Sequence, residues 1–378
     1  MGVQAQPQWE SIMYQRPLVM GVGVKDPTAL PPEQRLPFFG KNSGNLVFSE
    51  AAFRIVKNAR RTSYRTMKVT AEDRDCVVIA AANWLNAFSD FGNLADILET
   101  LDLPVVMIGV GAQTKPDGEM PTLSDGTLRL MKIVSERSKS ISARGEFTCE
   151  LLSRYGIHNV EPTGCPSLLL TGKHGPRIDR RPTFGWDDVA IHSTRHLYTP
   201  ARPFQQYLYK QAFAHKADIV LQSEYADLRF AGDPHGETDS DKKAQYILPN
   251  TYGASGEELA EYLKWHAKIF FDLDSWVRYL KSKSFVVGTR FHGTIVALLA
   301  GTPSVLLTHD SRTSEMVQVM GIPHVPIDSI DTSAPLDPSR LFSEESLAEL
   351  SATYPGYHAR FMDFFARNSI PILEHYAT

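Results

Sequence analysis

Short, almost wholly apolar runs recur along this chain, each followed by a segment of helical character, and no other feature constrains the fold as strongly. In the first half they are LVMGVGV (18–24), CVVIAAA (76–82), PVVMIGVGA (104–112) and SISAR (140–144). In the second half they are DVAIHS (188–193), ADIVLQSE (217–224), SFVVGT (284–289) and PSVLLTH (303–309). Strands this uniformly apolar are buried on both faces, and strands alternating with helices build parallel sheets. Helical spacing is expected near 45–61, 91–101, 124–138 and 146–155, then near 202–215, 255–281, 293–300 and 313–320. The stretch 171–187, TGKHGPRIDRRPTFGWD, carries the Gly, Pro and charge of a linker. Two α/β domains facing across a cleft follow. The polar, weakly periodic stretch 228–253 is expected to be a mobile loop over that cleft or an insertion.

A length of 378 residues accommodates two domains. A net charge of −4, from 39 basic and 43 acidic residues, leaves no nucleic-acid footprint. Cys76, Cys149 and Cys165 are unevenly spaced with no CxxC, which argues against a disulfide framework or a cysteine zinc site and fits a reducing compartment. The N-terminal MGVQAQPQWESIMYQRP lacks a signal-peptide core, and no apolar run reaches the ~18–20 residues of a membrane span. The expectation is a soluble, cytoplasmic protein with room for peripheral contact at the inner face of the membrane.

The chemistry concentrates where strands end. In GTRFHGTIVALLAGTPS (288–304) the strand SFVV feeds a turn with Thr289, Arg290, His292 and Gly293, and a helix follows until Gly301 and Pro303. Helix N-termini attract anions and repel cations, so an arginine and a histidine there suit a bound phosphate or carboxylate. The plainer alternative is an Arg290–carboxylate pair with His292 capping the helix. The next strand exit, LLTHDSRTSEM (306–316), brings His309, Asp310 and Arg312, with Thr313 or Ser314 as cap. His309 and Asp310 suit a local turn. Arg312 would be a third cation at one sheet edge if the two strands are neighbours. In ISARGEFTCELLSRYGI (141–157), Arg144 ends a strand and either pairs with Glu146 or reaches across the cleft. Ser43, Gly44 and Asn45 precede an amphipathic helix and could cradle an anion or bond sugar hydroxyls. The runs GVGVK (21–25) and GVGA (109–112) are too weak to indicate a nucleotide. Asn83, Trp84 and Asn86 follow CVVIAAA as either a carbohydrate wall or a helix cap.

Together, LPVVMIGVGAQ (103–113), ISARGEFTCELLSRYGI with EPTGCPSLLL (141–170), and VVGTRFHGTIVALLAGTPSVLLTHDSR (286–312) resemble the polysaccharide pyruvyl transferase family, with the SGN at 43–45 similar to its opening loop. The resemblance implies a GT-B-like α/β fold, two Rossmann-like domains with parallel sheets facing across a cleft. The domains implied are 1–175 on the acceptor side, 176–345 on the donor side, and C-terminal helices over 346–378 that can cross back to the first. It implies transfer of pyruvate from phosphoenolpyruvate onto two hydroxyls of one sugar, forming a ketal on a cell-surface polysaccharide or its precursor, lipid-linked or not. Arg290, Phe291 and His292 match the family's Arg-Leu-His motif. Arg144 matches its Arg-Asp element, with Gly145 where Asp is usual, and Arg312 stands where a lysine is usual. Ala81, Ala82 and Asn83 replace a Gly-rich turn. A nucleotide-sugar glycosyltransferase and a non-catalytic glycan-precursor-binding relative are the competing readings.

On this reading Arg290, Arg144 and Arg312, with Thr289 and Gly293, hold the donor, because guanidinium groups bind carboxylate and phosphate bidentately. His292, expected near the ordinary pKa of ~6.5, moves protons in both directions. Ser43, Gly44, Asn45, Asn83 and Trp84 receive the acceptor. Phosphoenolpyruvate is a co-substrate, and neither cofactor nor metal is called for, since no carboxylate–histidine cluster has ligand spacing.

Overall fold

The computed structural model describes residues 13–24, 28–114 and 119–377. The start of the N-terminal segment read for a signal peptide, and the Lys25 end of GVGVK, lie outside the described residues. Among the described residues twelve strands form two main sheets and a pair, all parallel. The first sheet takes β1 (Pro17–Met20), β2 (Arg60–Thr62), β3 (Cys76–Ala80) and β4 (Val105–Ile108) in the order β2-β1-β3-β4. The pair β5 (Ile141–Ala143) and β6 (Val160–Pro162) continues it through a bridge between Val110 and Ala143. The second sheet takes β7 (Val189–His192), β8 (Asp218–Val220), β9 (Ala267–Lys268), β10 (Phe285–Gly288), β11 (Ser304–Thr308) and β12 (His324–Pro326) in the order β12-β11-β10-β7-β8-β9. The central strands β3, β4, β7, β10 and β11 are buried at every position, as their composition requires. The architecture is the GT-B-like α/β arrangement: two Rossmann-like halves whose strands run their carboxyl ends toward a shared cleft.

Several elements differ from the sequence reading. The strands missing from it, β2, β6, β9 and β12, are two or three residues long, sit at or near sheet edges and are wholly or partly exposed, so no apolar run announces them. The helix expected over 45–61 stops at Ile55 and the chain enters β2. The helix expected over 255–281 is two helices, Gly256–His266 and Leu273–Lys281, with β9 between them. The polar stretch 228–253 is not a mobile loop but mostly helical. It holds most of helix Tyr225–Gly232 and the whole of Asp239–Tyr252, the latter started by a capping box of Thr238 and Asp241. The first run ends as a strand at Met20 because the chain turns at Gly23, whose φ of 72° only glycine adopts cheaply.

The helix Glu344–Arg367 follows the second sheet in sequence, lies against helix Ser311–Met320 and also reaches back to the first half. Tyr357 donates to the Cys165 carbonyl at 2.6 Å, and Asn368, just beyond the helix, bonds Ser140 from both amide atoms. The chain then runs on to meet Ile55 and Val56. One apolar cluster accordingly spans both halves and this helix, from Val19 and Ile108 through Ile295 and Leu306 to Phe361 and Phe365. Among the described residues no helix is long and apolar enough to cross a membrane.

Candidate active site

Parallel strands end at one edge, so the residues just beyond them are forced together. The exits of β1, β3, β4 and β5 face those of β7, β8, β10 and β11 across a cleft of about 750 Å³. Its lining includes Asn45, Asn83, Trp84 and Arg144 from the first half and Thr289, Arg290, His292 and Arg312 from the second. Because β10 and β11 are direct neighbours, with Gly288 opposite Leu306, Arg290, His292 and Arg312 leave the same part of one sheet edge.

The three arginines are in different states. Arg290 precedes helix Phe291–Leu299 and is anchored from behind: Nη2 pairs with the fully buried Glu224 and donates to Ser223 Oγ at 2.5 Å and the Arg195 carbonyl at 2.7 Å. Its backbone N–H donates to His192 Nδ1 at 3.0 Å. Burial raises the Glu224 carboxyl, but Arg290 and Arg195 outweigh it and hold the group below its ordinary range. Arg144, 3% exposed, does not pair with Glu146. Its Nε donates to the Gly109 carbonyl at 3.0 Å, and its Nη2 is buried without a partner. Burial and the Arg312 charge pull this guanidinium below its usual value. Arg312 bonds Asp310 through Nη2 at 3.1 Å, while its Nε is buried and unpartnered. Buried cationic donors without acceptors are costly, and an anionic ligand removes that cost at both nitrogens.

His292 sits among these charges at 8% exposure. Its Nε2 lies 3.6 Å from Cys165 Sγ, and the Phe48 ring packs 5.6 Å from it. The ordinary pKa expected from sequence does not hold: burial, then the charges of Arg144, Arg312 and Arg290, lower it well below the usual histidine value. The free site therefore holds a neutral imidazole. His192 behind it is pushed down to about 3 by burial and Arg290, with Nε2 buried and unpartnered.

Other expectations resolve individually. Helix Ser311–Met320 is capped by Asp310, which accepts from the Thr313 N–H at 2.8 Å, and Thr313 completes a capping box by accepting from the Asp310 N–H; Ser314 is not the cap. Thr289 accepts from the Thr194 N–H at 2.9 Å and lines the cleft. Gly293 does not line it. A Cβ there would lie 2.6 Å from the His192 ring, so glycine lets helix and histidine approach. Ser43 and Gly44 also lie off the lining, packed against Gln222 of the other half: the Ser43 N–H donates to the Gln222 carbonyl at 2.8 Å. Asn45 is on the lining, with Nδ2 on the Phe39 carbonyl. Asn83 donates to Gln113 and keeps Oδ1 buried without a donor, Trp84 stacks on Phe91 at 4.5 Å, and Asn86 spends its amide on a local turn. Among the described residues no group of three or more His, Cys, Asp or Glu is placed to hold a metal ion.

A family model for polysaccharide pyruvyl transferase matches residues 42–311. The chain belongs to that family. No curated protein sequence matches it. Among solved structures it overlaps loosely with Anabaena HepE in complex with UDP and glucose, at 11% identity and TM-score 0.45 over 93% of this chain and 97% of that one. It overlaps likewise with S. aureus MnaA with UDP, at 12% and 0.45 over 94% and 98%. A third is the UDP-GlcNAc 2-epimerase of Neisseria meningitidis bound to UDP-GlcNAc, at 11% and 0.42 over 94% and 100%. Overlaps this loose carry no argument about chemistry.

Two of the three departures from the family pattern have local explanations. A Cβ at Gly145 would lie 2.6 Å from Glu315 Oε2, so Glu315, on helix Ser311–Met320, fills the space of any side chain there. Glu315 accepts from Thr148 Oγ1 at 3.0 Å and brings a carboxylate near Arg144 from the opposite half. At Arg312 the guanidinium fork serves Asp310 with one nitrogen and leaves another free, which a lysine ammonium does less directionally. Nothing in the structure explains the loss of glycine at Ala81–Asn83. The sequence reading missed His192, Glu224 and Glu315. The first two left a trace, as charged or titratable residues closing apolar runs; Glu315, inside a polar helix, left none.

Proposed function

We propose that this member of the family transfers the pyruvyl group of phosphoenolpyruvate onto two hydroxyls of one sugar, forming a pyruvate ketal on a cell-surface polysaccharide or its precursor. The observation that carries the reading is the pair of buried, unpartnered guanidinium nitrogens, Arg144 Nη2 and Arg312 Nε, beside a neutral His292. A small ligand with both a carboxylate and a phosphate suits them. Its charge also offsets the arginines that, after burial, lower the His292 pKa, so the imidazole gains basicity as the donor arrives.

The residues then act in order. His292, protonated in the donor complex, gives its proton to the methylene carbon, and the cationic C2 is captured by one sugar hydroxyl. Inorganic phosphate leaves with cleavage of the C2–O bond, and the second hydroxyl closes the ketal. Of the two hydroxyl protons, one leaves with phosphate and the other restores His292. Arg144 and Arg312 hold the anions, and Arg290, fixed by Glu224, keeps a third positive charge at the edge of the site. Asn83, Trp84 and Asn45 offer the amide and aromatic surface for a sugar. Phosphate release from phosphoenolpyruvate that depends on a saccharide acceptor tests the reaction. A thermal shift with phosphoenolpyruvate but not with UDP or GDP tests the donor, since a ligand bound only by the folded state raises its melting point. Release absent with every acceptor, together with stabilisation by a nucleotide, would overturn the reading.

A further inference from the structure

Cys165 has no place in the mechanism above, yet it is the polar neighbour of the residue on which that mechanism turns. It is fully buried in the stretch between β6 and the 3₁₀ turn Pro166–Thr171. Its backbone is held at both ends, the N–H 3.4 Å from Met320 Sδ and the carbonyl accepting from Tyr357 at 2.6 Å. Its Sγ lies 3.6 Å from His292 Nε2 and 3.1 Å from Ser167 Oγ. The imidazole is packed by Phe48 and edge-on by Phe291 at 5.2 Å, so the ring has little freedom to turn.

We propose that Cys165 is a positioning residue: its sulfur accepts a hydrogen bond from the Nε2–H of His292 and thereby assigns the proton transfers to Nδ1, the ring nitrogen left for the cleft. Sulfur both accepts and donates weakly, and Ser167 Oγ is placed to accept from the thiol at 3.1 Å, giving a chain Nε2–H to Sγ–H to Oγ. The chain needs no rearrangement between steps. With His292 neutral, Nε2 carries the proton and Nδ1 has a free lone pair. With His292 charged, Nε2–H still rests on sulfur and Nδ1 carries the proton to be given away. The other charged groups around His292 do not compete for Nε2. The hydrogen bonds of Arg144, Arg312 and Arg290 go to the Gly109 carbonyl, to Asp310 and to Glu224 with the Arg195 carbonyl, and Glu315 is engaged by Thr148. The geometry stands independently of the pyruvyl-transfer reading; the role given to Nδ1 rests on it.

The test is ¹⁵N NMR of the full chain labelled at histidine, with His292 assigned by loss of its signals in His292→Gln. The wild type is expected as the Nε2–H tautomer. In Cys165→Ala the tautomers should mix. The His292 titration with phosphoenolpyruvate bound should fall by about one pH unit, since the imidazolium loses its acceptor. Turnover should fall on the order of tenfold at unchanged donor KM, the share of one hydrogen bond to a charged group. Cys165→Ser should restore tautomer and titration. An Nδ1–H tautomer in the wild type overturns the proposal whether or not the alanine variant folds. So does a folded Cys165→Ala with wild-type tautomer and titration. If phosphoenolpyruvate is never turned over, pyruvyl transfer fails, while the tautomer of the free protein still decides what Cys165 does.

Discussion

The charged floor of the cleft and its amide–aromatic wall are built on opposite plans. On the floor, Arg290 is locked by a buried carboxylate and two carbonyls, while Arg144 and Arg312 each keep one buried nitrogen free. On the wall, Trp84 stacks on Phe91, Asn83 leans on Gln113 and Asn45 on the Phe39 carbonyl, all only partly buried. The difference follows from what each side would meet. Charge held in a low-dielectric site must be fixed in advance by the protein and costs stability until a ligand arrives. A surface for sugar hydroxyls can stay half-solvated and exchange water for ligand at little cost.

The comparison breaks most sharply at His292. His292→Ala is expected to lower turnover by ~10²–10⁴, the share of one acid–base group, at an unchanged melting temperature; near-normal rates in the folded variant would remove it from the mechanism. Glu224→Gln strands the Arg290 charge, so chemical denaturation should show a loss of about 3–5 kcal/mol, and a loss below 1 would mean that Arg290 is not anchored as described. Arg144→Met should do the reverse. Donor binding, measured calorimetrically, weakens by about 10–100-fold, as for a hydrogen bond to a charged group, while the free protein melts no lower than wild type. A variant that binds normally would show that the free nitrogen is not a donor contact.

Acid sharpens the same contrast. His192 is neutral when folded and takes a proton only near pH 3, whereas the unfolded chain takes it near ~6.5. The unfolded state thus binds more protons over that window, and stability falls with falling pH by about 1.4 kcal/mol per unit from this residue. Denaturation at pH 7 and 5 should be less steeply separated in His192→Asn; an identical separation would contradict the neutral assignment. The smallest effect belongs to the wall. Trp84→Ala should raise the acceptor KM by roughly 3–10-fold, as expected for an aromatic contact worth ~0.5–1.5 kcal/mol, and leave the donor KM alone.

The buried strands were legible because a strand covered on both faces has no choice but apolar residues. β9 and β12 were not, since their few half-exposed residues leave the pattern undetermined. The helices over 225–252 are hard to read for a related reason: their polarity resembles that of irregular chain, and only a capping box and Gly253 after Tyr252 punctuate a helix there. In the site, Arg290, His292 and Arg312 could be placed together from strand order alone. Ser43 and Gly44 could not be kept from the lining, because only the packing of Gln222 shows that they join the halves instead.

By itself, the sequence determined which residue types stand at the strand exits, and so that cations gather beside a helix start. Tertiary structure alone decided which of those cations are already spent, that the imidazole between them is neutral, and that Cys165 lies against it. Those properties depend on burial and on partners remote in the chain, Cys165 lying 127 residues from His292, and no local pattern encodes the distance between groups that only folding makes neighbours.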